Sequence, residues 1–581
     1  MAIICKDNKL YLNSKIKPGC EITNFVFSIV FDMEYIEVDG KSKHFYRIEI
    51  TNEHGETLTL PKVSAEEYDT GKWTSSLGSK VAVLNQTAFK KALPEILRDS
   101  SIKHTKLYKF VGLFTENERY CYVDNNGMFT EEGYNPNIKA DMPGKLSLFC
   151  LPPPNKNKEE LIFAIRAVLE LESLSPNNAY VGILAKVAAV RAIISIFIPN
   201  SSALFLKGKT GIRKSPLVSL LQSFFGSEFW DTNNTLAGWN STSAALQDLL
   251  IKIKTLCLVD DFTPVETLSA KDLAVKAEEV FRSLANRTSK HRSNSTGELQ
   301  QTPEPGAQIL SSGESLDLIF TDSMVKRITF FPIDEHDVDL EKLTLFQEHG
   351  KNGVYARFSS ALIQSTLKDQ KILEDKYQQL FFSYRSKFID AIGENIHGRL
   401  NDNFASLMVA LVVLYKFALK HKVITKYEYT KYINRDWITL KELVIQQEII
   451  TKKLNLVTIL NDAIATALQN GVIHVLDYKT GGCPINIRFD SGWKQSKPSG
   501  EFFGWVDTKN NLIYIPTNID ITILKETIHE NCVSLLDTPK RRFWRLIARF
   551  YGLVTKNKNR NTVRRTDPKT GETIDVYALK M

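Results

Sequence analysis

The sequence predicts an α/β fold whose core is a parallel sheet with helices on both faces. Three observations support this prediction. The apolar run 203–206 is followed by a glycine-bearing loop and then by the amphipathic run 217–225. A second apolar run ends in two carboxylates at 260–261, and a third ends in two serines at 311–312. Continuous apolar strands of this kind are typical of parallel sheets that are buried on both faces.

The loop after the first strand carries residue types that bind phosphates. It follows the pattern G-x-x-x-x-G-K-[ST], except that an arginine replaces the second glycine. Backbone N–H groups in such a loop cradle phosphates, the lysine reaches the β- and γ-phosphates, and the hydroxyl binds Mg²⁺. The alternative is an ordinary strand-to-helix turn with a chance Lys-Ser pair. The predicted nucleotide-binding residues are Gly208, Thr210, Gly211, Arg213, Lys214 and Ser215.

The two carboxylates follow a predicted buried strand, where ligands of parallel sheets bind. We expect Asp260 to hold Mg²⁺ together with Ser215, and Asp261 to orient or deprotonate the attacking water. Asp261 is one methylene shorter than the glutamate usual at that position, so Glu266 and Glu314 are alternatives. The competing interpretation is a strand that ends in a solvated Asp-Asp turn.

Two further segments complete the predicted site. Ser311 and Ser312 end the third strand, where hydroxyls can contact the γ-phosphate or the water, and Ser312 is the predicted catalytic residue of the pair. Both serines also suit the cap of the next helix. Arg327 precedes the apolar run 328–332. Ring-forming ATPases place at this point an arginine that reaches a neighbour's nucleotide. A surface arginine at a strand start is the alternative.

These segments occur in the order of a AAA+ ATPase core. The stretches 224–230, 235–240 and 309–314 resemble a family of mobile-element helicases. The family includes the replication initiators of staphylococcal pathogenicity islands and the cassette chromosome helicases. The resemblance covers about residues 20–340 and, more loosely, the carboxyl-terminal part. It implies a hexameric, MCM-like, self-loading DNA helicase that uses ATP and Mg²⁺.

Composition and charge agree with a DNA-binding protein of several domains. The 581 residues carry a net charge of +8, and eleven lysines and arginines lie between 540 and 569. The cysteines are scattered, the amino terminus does not resemble a leader, and the apolar run 179–206, which charges interrupt, is predicted to begin with a buried helix. These features predict a cytoplasmic bacterial protein without a membrane partner. We expect a β-rich domain (1–150), the ATPase domain (159–365), a helical lid or linker (366–500), mostly helical from residue 370 to about 475, and a winged helix (501–581).

Two basic segments are candidate DNA contacts. The polar loop 285–297 carries Lys290 and Arg292, and helicases of the clade that the chain resembles place a pore hairpin there. A predicted helix after residue 538 places arginines on one face and apolar residues on the other. A hairpin follows it, in which the predicted strands 552–555 and 573–579 flank a loop that carries Lys556, Lys558, Arg560, Arg564 and Arg565. Solvated charge, or for the helix a protein-docking surface, is the alternative. The predicted carboxyl-terminal contacts are Arg541, Arg542, Arg545, Arg549, Lys558 and Arg560.

The sequence therefore predicts an ATP-dependent helicase that initiates replication of a mobile element. It would bind double-stranded origin DNA through the winged helix and move single-stranded DNA through a homo-oligomeric, hexameric ring. Two alternatives stay open: an ATP-dependent DNA-bound regulator that does not unwind, and an origin-binding initiator with a weak or decayed ATPase. The arginine in the phosphate-binding loop and the Asp-Asp pair favour the last of these.

Overall fold

A computed structural model divides the chain into two compact units. The first comprises Met1–Glu314, Pro332–Gln378 and Val413–Lys426, and the second comprises Ser315–Phe331, Gln379–Val412 and Tyr427–Met581. The residues described are 2–13, 18–78, 81–99, 101–154, 157–264, 268, 270–287, 292–293, 299–300, 303–314, 322–392, 398–451, 456–485, 490–528, 536, 540–549, 553–554 and 560–580.

The amino-terminal part of the first unit consists mainly of strands with two helices. The strand orders of its sheets are β1-β2-β3, β12-β7-β4-β5-β6 and β11-β10-β9-β8-β15, the last strand coming from later in the chain. The elements are β1 (Ala2–Lys6), β2 (Lys9–Asn13), β3 (Pro18–Thr23), β4 (Phe25–Ile36), β5 (Ser42–Asn52), β6 (Thr57–Ser64), α1 (Ala65–Thr70), α2 (Gln86–Asp99), β7 (Lys103–Tyr108), β8 (Val111–Glu116), β9 (Arg119–Val123), β10 (Met128–Phe129), β11 (Tyr134–Asn135), β12 (Lys139–Ala140) and β15 (Ile253–Lys254).

A bulge in β4 divides the aromatic residues of the second sheet between its two faces. Phe25 and Phe27 precede the bulge at 29–31 and are buried with Trp73 and Phe89, against α1 and α2. One extra residue in a strand shifts the side-chain alternation, so odd-numbered residues after the bulge lie on the opposite face. The second face therefore also carries aromatic rings.

The centre of the first unit is the parallel sheet that the sequence predicts. Four strands, β14, β16, β19 and β13, lie side by side in this order and run parallel. The apolar residues of β13, β16 and β19 are buried, as expected of a sheet covered on both faces. The elements are α3 (Lys158–Glu170), α4 (Ala179–Ile193), β13 (Ala203–Lys207), α5 (Lys214–Gln222), β14 (Ala237–Gly238), α6 (Ser243–Lys252), β16 (Leu256–Phe262), α7 (Ala270–Asn286), β17 (Arg292–Ser293), β18 (Leu299–Gln300) and β19 (Gln308–Gly313).

The region after β19 is mostly helical, as the sequence predicts for residues 370 to about 475. Residues 322–332 supply a short helix and a strand, and helices of up to 26 residues follow. The elements are α8 (Asp322–Val325), β20 (Ile328–Pro332), α9 (Leu340–Lys351), α10 (Val354–Lys368), α11 (Gln370–Ile392), α12 (Gly398–Lys420), α13 (Lys426–Thr451) and α14 (Leu456–Gln469).

The carboxyl-terminal part of the second unit contains a mixed sheet of order β21-β24-β25-β27-β26. The sheet begins at Ile473, upstream of the boundary expected at 501, because β21 pairs in parallel with β24. The Asn461 amide on α14 donates to the Lys580 carbonyl at 3.0 Å, which ties that helix to the sheet. The elements are β21 (Ile473–Asp477), β22 (Trp493–Lys494), β23 (Lys497–Pro498), β24 (Glu501–Asp507), β25 (Leu512–Pro516), α15 (Lys540–Arg549), β26 (Val563–Thr566) and β27 (Thr573–Lys580).

Among the described residues, two stretches, Ala179–Ile196 and Gly398–Lys420, are long and apolar enough to cross a membrane. In their most apolar windows, 89% and 83% of the residues are buried inside the protein, as in the core helices of a folded chain. Burial of the first stretch agrees with the expectation that the apolar run at 179–206 begins with a buried helix.

Candidate nucleotide-binding site

The loop between β13 and α5 is held closely against its surroundings at Gly208. A Cβ atom on Gly208 would lie 2.4 Å from the Ile333 carbonyl oxygen and 2.3 Å from Ile212 Cδ1. The Gly208 N–H donates to the Gly313 carbonyl at 3.0 Å, at the end of the neighbouring strand β19. Only glycine fits this approach, so the first glycine of the phosphate-binding pattern is explained by packing.

Arg213 has the backbone conformation of a glycine. Its φ and ψ are 66° and 29°, in the left-handed region, and it precedes the first residue of α5. A left-handed residue other than glycine costs roughly 1–2 kcal/mol. Gly211, two residues earlier, is also left-handed, at φ 85°. Two positions of the loop, 211 and 213, therefore have left-handed conformations that favour glycine, and only position 211 is a glycine.

Lys214 begins α5 and bends back over the loop. Its ammonium group donates a hydrogen bond to the Lys209 carbonyl oxygen, within the same loop. Burial lowers the pKa of Lys214, while the carboxylates of Glu314, Asp260 and Asp261 act in the opposite direction. Strands β13, β19 and β16 run parallel, so the loop after β13 and the carboxylates that end β16 lie at the same edge of the sheet. The structure thus brings the predicted lysine and the predicted carboxylates to one edge of the sheet.

The two carboxylates have different environments. Asp260 is buried, with 7% of its surface exposed, and accepts a hydrogen bond from the Ser312 hydroxyl on β19. Asp261 has φ 58° in a bulge of β16 and is exposed. The bulge turns the second carboxylate out of the strand's alternation. Asp260 is therefore positioned by the sheet, whereas Asp261 faces solvent.

The two serines at the end of β19 are also distinct. Ser312 faces Asp260, whereas the Ser311 hydroxyl accepts a hydrogen bond from the ring N–H of Trp239 at 2.8 Å. Adjacent residues of a strand point to opposite faces, so only one of the pair faces the carboxylate. The residues that would show whether these serines cap a following helix lie outside the described residues.

Trp239 and Gln222 position the site, and the sequence analysis assigned them no role. The Trp239 backbone N–H donates to the Asp260 carbonyl at 3.1 Å, and its ring is fully buried. Gln222, at the end of α5, bonds to Leu256 and Leu258 of β16 at 3.1 and 3.0 Å. A buried tryptophan N–H and a buried amide both need hydrogen-bond partners. The sequence signals for these two residues were a tryptophan within 235–240 and a glutamine within the amphipathic run 217–225. Gln222 connects the helix that follows the phosphate loop to β16, and Trp239 connects β16 to Ser311 of β19.

The arrangement suits a magnesium–nucleotide complex. The loop of residues 208–213 leads into the amino terminus of α5, where backbone N–H groups bind anions. Lys214 supplies a cation, and the Ser215 hydroxyl and the Asp260 carboxylate are oxygen ligands of the kind that Mg²⁺ prefers. Thr210 is exposed in the same loop. The residues at this edge therefore fit the predicted cofactor chemically.

Arg327 lies in the second unit, in the turn between α8 and β20. Its side chain is buried, with 8% of its surface exposed, and its backbone N–H donates to the Met324 carbonyl at 2.9 Å. Gln447 fixes the same segment by accepting from the Phe330 N–H at 3.1 Å. A residue that completes a neighbour's site has to be accessible to that neighbour. Contact with another subunit would thus require Arg327 to leave this position, and the arginine finger stays a prediction.

The predicted pore loop contains a short hairpin. Strands β17 and β18 pair antiparallel, Arg292 with Gln300 and Ser293 with Leu299. Lys290 lies outside the described residues, and the description of Arg292 is limited to its backbone. A hairpin immediately before β19 has the place in the chain that the resemblance implies for the pore element, and its contact with DNA stays a prediction.

The basic helix α15 has the two faces that the sequence predicts. Phe543, Trp544 and Ile547 are buried, and the Trp544 ring stacks on Tyr577 of β27 at 4.2 Å. The side chains of Arg541 and Arg545 are exposed one turn apart. Lys558 and the side chains of Arg542 and Arg549 are outside the described part, and Arg560 is exposed in a segment without regular structure.

The hairpin after α15 differs in detail from the expected wing. Of the predicted first strand, 552–555, the structure describes residues 553 and 554, and Leu553 forms a bridge with Leu579. The regular partner of β27 is β26, which contains Arg564 and Arg565, so these arginines lie in a strand instead of a loop. Arg564 is 73% exposed and lies 3.7 Å from Asp575, and the Arg565 guanidinium lies 4.8 Å from the Tyr514 ring centre. The strand geometry therefore moves two of the expected wing cations onto the sheet.

Comparison with known proteins gives structural likeness of low similarity. No protein-family model matches the chain, and no curated protein matches its sequence. A solved structure described as an SCCmec type IV Cch active helicase is 13% identical, with a TM-score of 0.47, over 100% of this chain and 97% of that one. An apo structure of the NrS-1 C-terminal region is 9% identical, with a TM-score of 0.25, over 94% and 96%. At these values neither likeness assigns a fold or a function to this chain.

Proposed function

We propose that the chain is an ATP-dependent, self-loading DNA helicase that initiates replication of a mobile genetic element in the bacterial cytoplasm. The observation that carries the proposal is the placement of Lys214, Asp260 and Ser312 after or at the carboxyl ends of three parallel strands, at one edge of the sheet beside a glycine-bearing loop. This is the residue set of a AAA+ phosphoryl-transfer site. The sequence motifs that resemble mobile-element helicases direct the choice among such ATPases.

Each residue at this edge has a role in ATP hydrolysis. Lys214 would exchange its hydrogen bond to the Lys209 carbonyl for the β- and γ-phosphates, so the loop opens as ATP binds. Ser215 and Asp260 would hold Mg²⁺, which neutralises charge on the phosphates. Ser312 holds Asp260 in place, and Asp261, which is exposed, would orient water. Arg327 of a neighbouring subunit would complete the site in a hexameric, MCM-like ring.

DNA would be bound at two places with different tasks. The β17–β18 hairpin would grip single-stranded DNA in the pore through Lys290 and Arg292, giving the sequence-independent contacts that translocation needs. The carboxyl-terminal domain would select the double-stranded origin as a winged helix does, with Arg541 and Arg545 on the exposed face of α15. The buried Trp544–Tyr577 stack keeps that helix on its sheet while the arginines face outward.

An origin-binding initiator with a weak ATPase is the second candidate. The backbone strain at Arg213 and the exposure of Asp261 favour it, because both are departures at positions that control phosphate geometry and water. In that case the chain would bind Mg²⁺–ATP and origin DNA but release phosphate slowly.

Nucleotide titration tests the proposal directly. We expect wild-type protein to bind Mg²⁺–ATP and Lys214→Ala to lose most of that affinity, because the cation on the phosphates is removed. Lys252→Ala is the matched control, since Lys252 lies on α6 and pairs with Asp248 at 2.8 Å, away from the loop. Equal binding by Lys214→Ala and Lys252→Ala would overturn the nucleotide site. Binding without turnover would select the weak-ATPase candidate.

A further inference from the structure

The second face of the sheet β12-β7-β4-β5-β6 has an unusual combination of residues. After the bulge in β4, Phe31, Met33 and Tyr35 point to the face opposite α1 and α2. Met33 and Tyr35 are buried there with Leu107, and Phe31 and Phe45 are partly buried against them. This small apolar cluster is separate from the main core of the domain.

Positive side chains lie over these rings. The Lys62 ammonium is 3.9 Å from the centre of the Tyr35 ring and 4.4 Å from that of Phe45, and Lys109 is 4.4 Å from Tyr35. Phe31 lies below two more cations: the Arg47 guanidinium is 5.0 Å from the ring centre and the Lys103 ammonium is 5.9 Å from it. Attraction to the ring faces holds the cations over one surface.

The charge of the face favours a polyanion. Register places six cations on it or at its rim: Lys43, Arg47, Lys62, Lys103, Lys109 and Lys139. The acidic residues on or beside it are Glu37, Glu49 and Asp141. Glu37 and Asp141 pair with Lys43 and Lys109 at 3.4 and 2.8 Å, so Arg47, Lys62, Lys103 and Lys139 are the main cations to match with phosphates.

We infer that this face, the aromatic–basic face, is a binding surface for single-stranded DNA. Partly exposed rings on a sheet offer a stacking platform to unpaired bases, and cations between them follow the phosphates. Duplex DNA fits less well, because its bases are already stacked and present no ring face. The inference does not rest on the ATPase site. In the proposed helicase, the aromatic–basic face would bind the same DNA strand as the β17–β18 hairpin, at a separate place in the amino-terminal domain.

Binding of an oligothymidylate by the full chain without nucleotide tests the assignment. The variant Lys62→Ala/Lys103→Ala removes two exposed cations of the face. Lys90→Ala/Lys91→Ala removes two exposed lysines of α2, on the other side of the sheet, and is the matched control. We expect the slope of log affinity against log salt to flatten by about 1.4 for the first variant, at about 0.7 per phosphate contact. The control slope should stay at the wild-type value.

The position of the strand is tested by photocrosslinking an oligonucleotide that carries 5-iodouracil, which reacts with aromatic side chains stacked on it. We expect crosslinks at Phe31 or Phe45, and binding weakened about fivefold or more by Phe31→Leu. Crosslinks confined to other parts of the chain, or a face variant with the slope of its control, would overturn the inference. Crosslinks at these rings in a protein that hydrolyses no ATP would retain this site and refute the ATPase function.

Discussion

Adding one methyl group at Gly208 should disable the phosphate loop without removing a functional group. The new Cβ would lie 2.4 Å from the Ile333 carbonyl oxygen, 2.3 Å from Ile212 Cδ1 and 2.7 Å from Ile333 Cγ2. The carbonyl belongs to the backbone, so it cannot rotate away as the end of a side chain can. Overpacking of this kind costs about 1–3 kcal/mol. Relief requires the loop to move away from Gly313, where its N–H is now bonded.

If that cost falls on the nucleotide-competent loop, Gly208→Ala should weaken ATP binding by roughly 5- to 150-fold. Gly211→Ala is the control in the same loop. A Cβ there meets nothing within 4 Å, and only the left-handed φ of 85° opposes it. That conformational cost is about 1–2 kcal/mol, or about 5- to 30-fold. The assay is a titration with a fluorescent ATP analogue, with the melting temperature recorded for each variant.

The reasoning is refuted if Gly208→Ala binds the analogue within twofold of wild type while Gly211→Ala does not. That result would mean that Ile333 yields at no cost and that the first glycine is required for its dihedral freedom alone. If Gly208→Ala lowers the melting temperature as well as the affinity for the analogue, the added methyl group destabilises the fold, and the loop is part of the stable core.

Three other predictions concern single features of the chain. Arg213→Gly should bind ATP about fivefold or more tightly than Arg213→Ala, because only glycine relieves the left-handed conformation; equal affinities would remove backbone strain as the reason. Mixing Lys214→Ala with Arg327→Ala subunits should restore some ATP turnover, because some interfaces then combine an intact lysine and an intact arginine; if rings form and turnover is not restored, Arg327 is not the finger. Arg545→Ala should cost on the order of 1–3 kcal/mol at the origin and less on random duplex in a mobility-shift assay; equal losses on both DNAs would make it a backbone contact.

The strands and the chemistry of the candidate site could be predicted from sequence because they are local. A buried parallel strand is a run of apolar residues, and β13, β16 and β19 are found where those runs are. The lysine that begins α5 and the carboxylates that end β16 are next to these runs in the chain. The directions in which the site's side chains point depend on the alternation of residues along each strand, which the sequence does not show. The hydrogen-bond partners of Ser311 and Ser312 are set by the register of β19, and the exposure of Asp261 is set by a bulge that no local pattern encodes.

Long-range pairing also escaped the sequence analysis. Strand β15 pairs with β8, which lies about 140 residues earlier in the chain. Strand β21 pairs with β24, although β22 and β23 lie between them in the sequence. No periodicity marks the partner of a short strand, since the pairing is decided by packing after both segments form. One practical consequence follows for the carboxyl-terminal domain. A truncation that tests origin recognition should end at residue 455, because removing 501–581 would leave β21 without its partner.

The most direct test of the central claim is strand separation of a 3′-tailed DNA duplex in the presence of ATP and Mg²⁺. Wild-type protein should release the labelled strand, Lys252→Ala should do the same, and Lys214→Ala should release none while still binding the DNA. Release of the strand by Lys214→Ala at the wild-type rate would contradict the account, because unwinding would then not depend on the site at the edge of the parallel sheet. Turnover of ATP by wild-type protein without any strand release would leave an ATP-dependent DNA-bound regulator in place of a helicase.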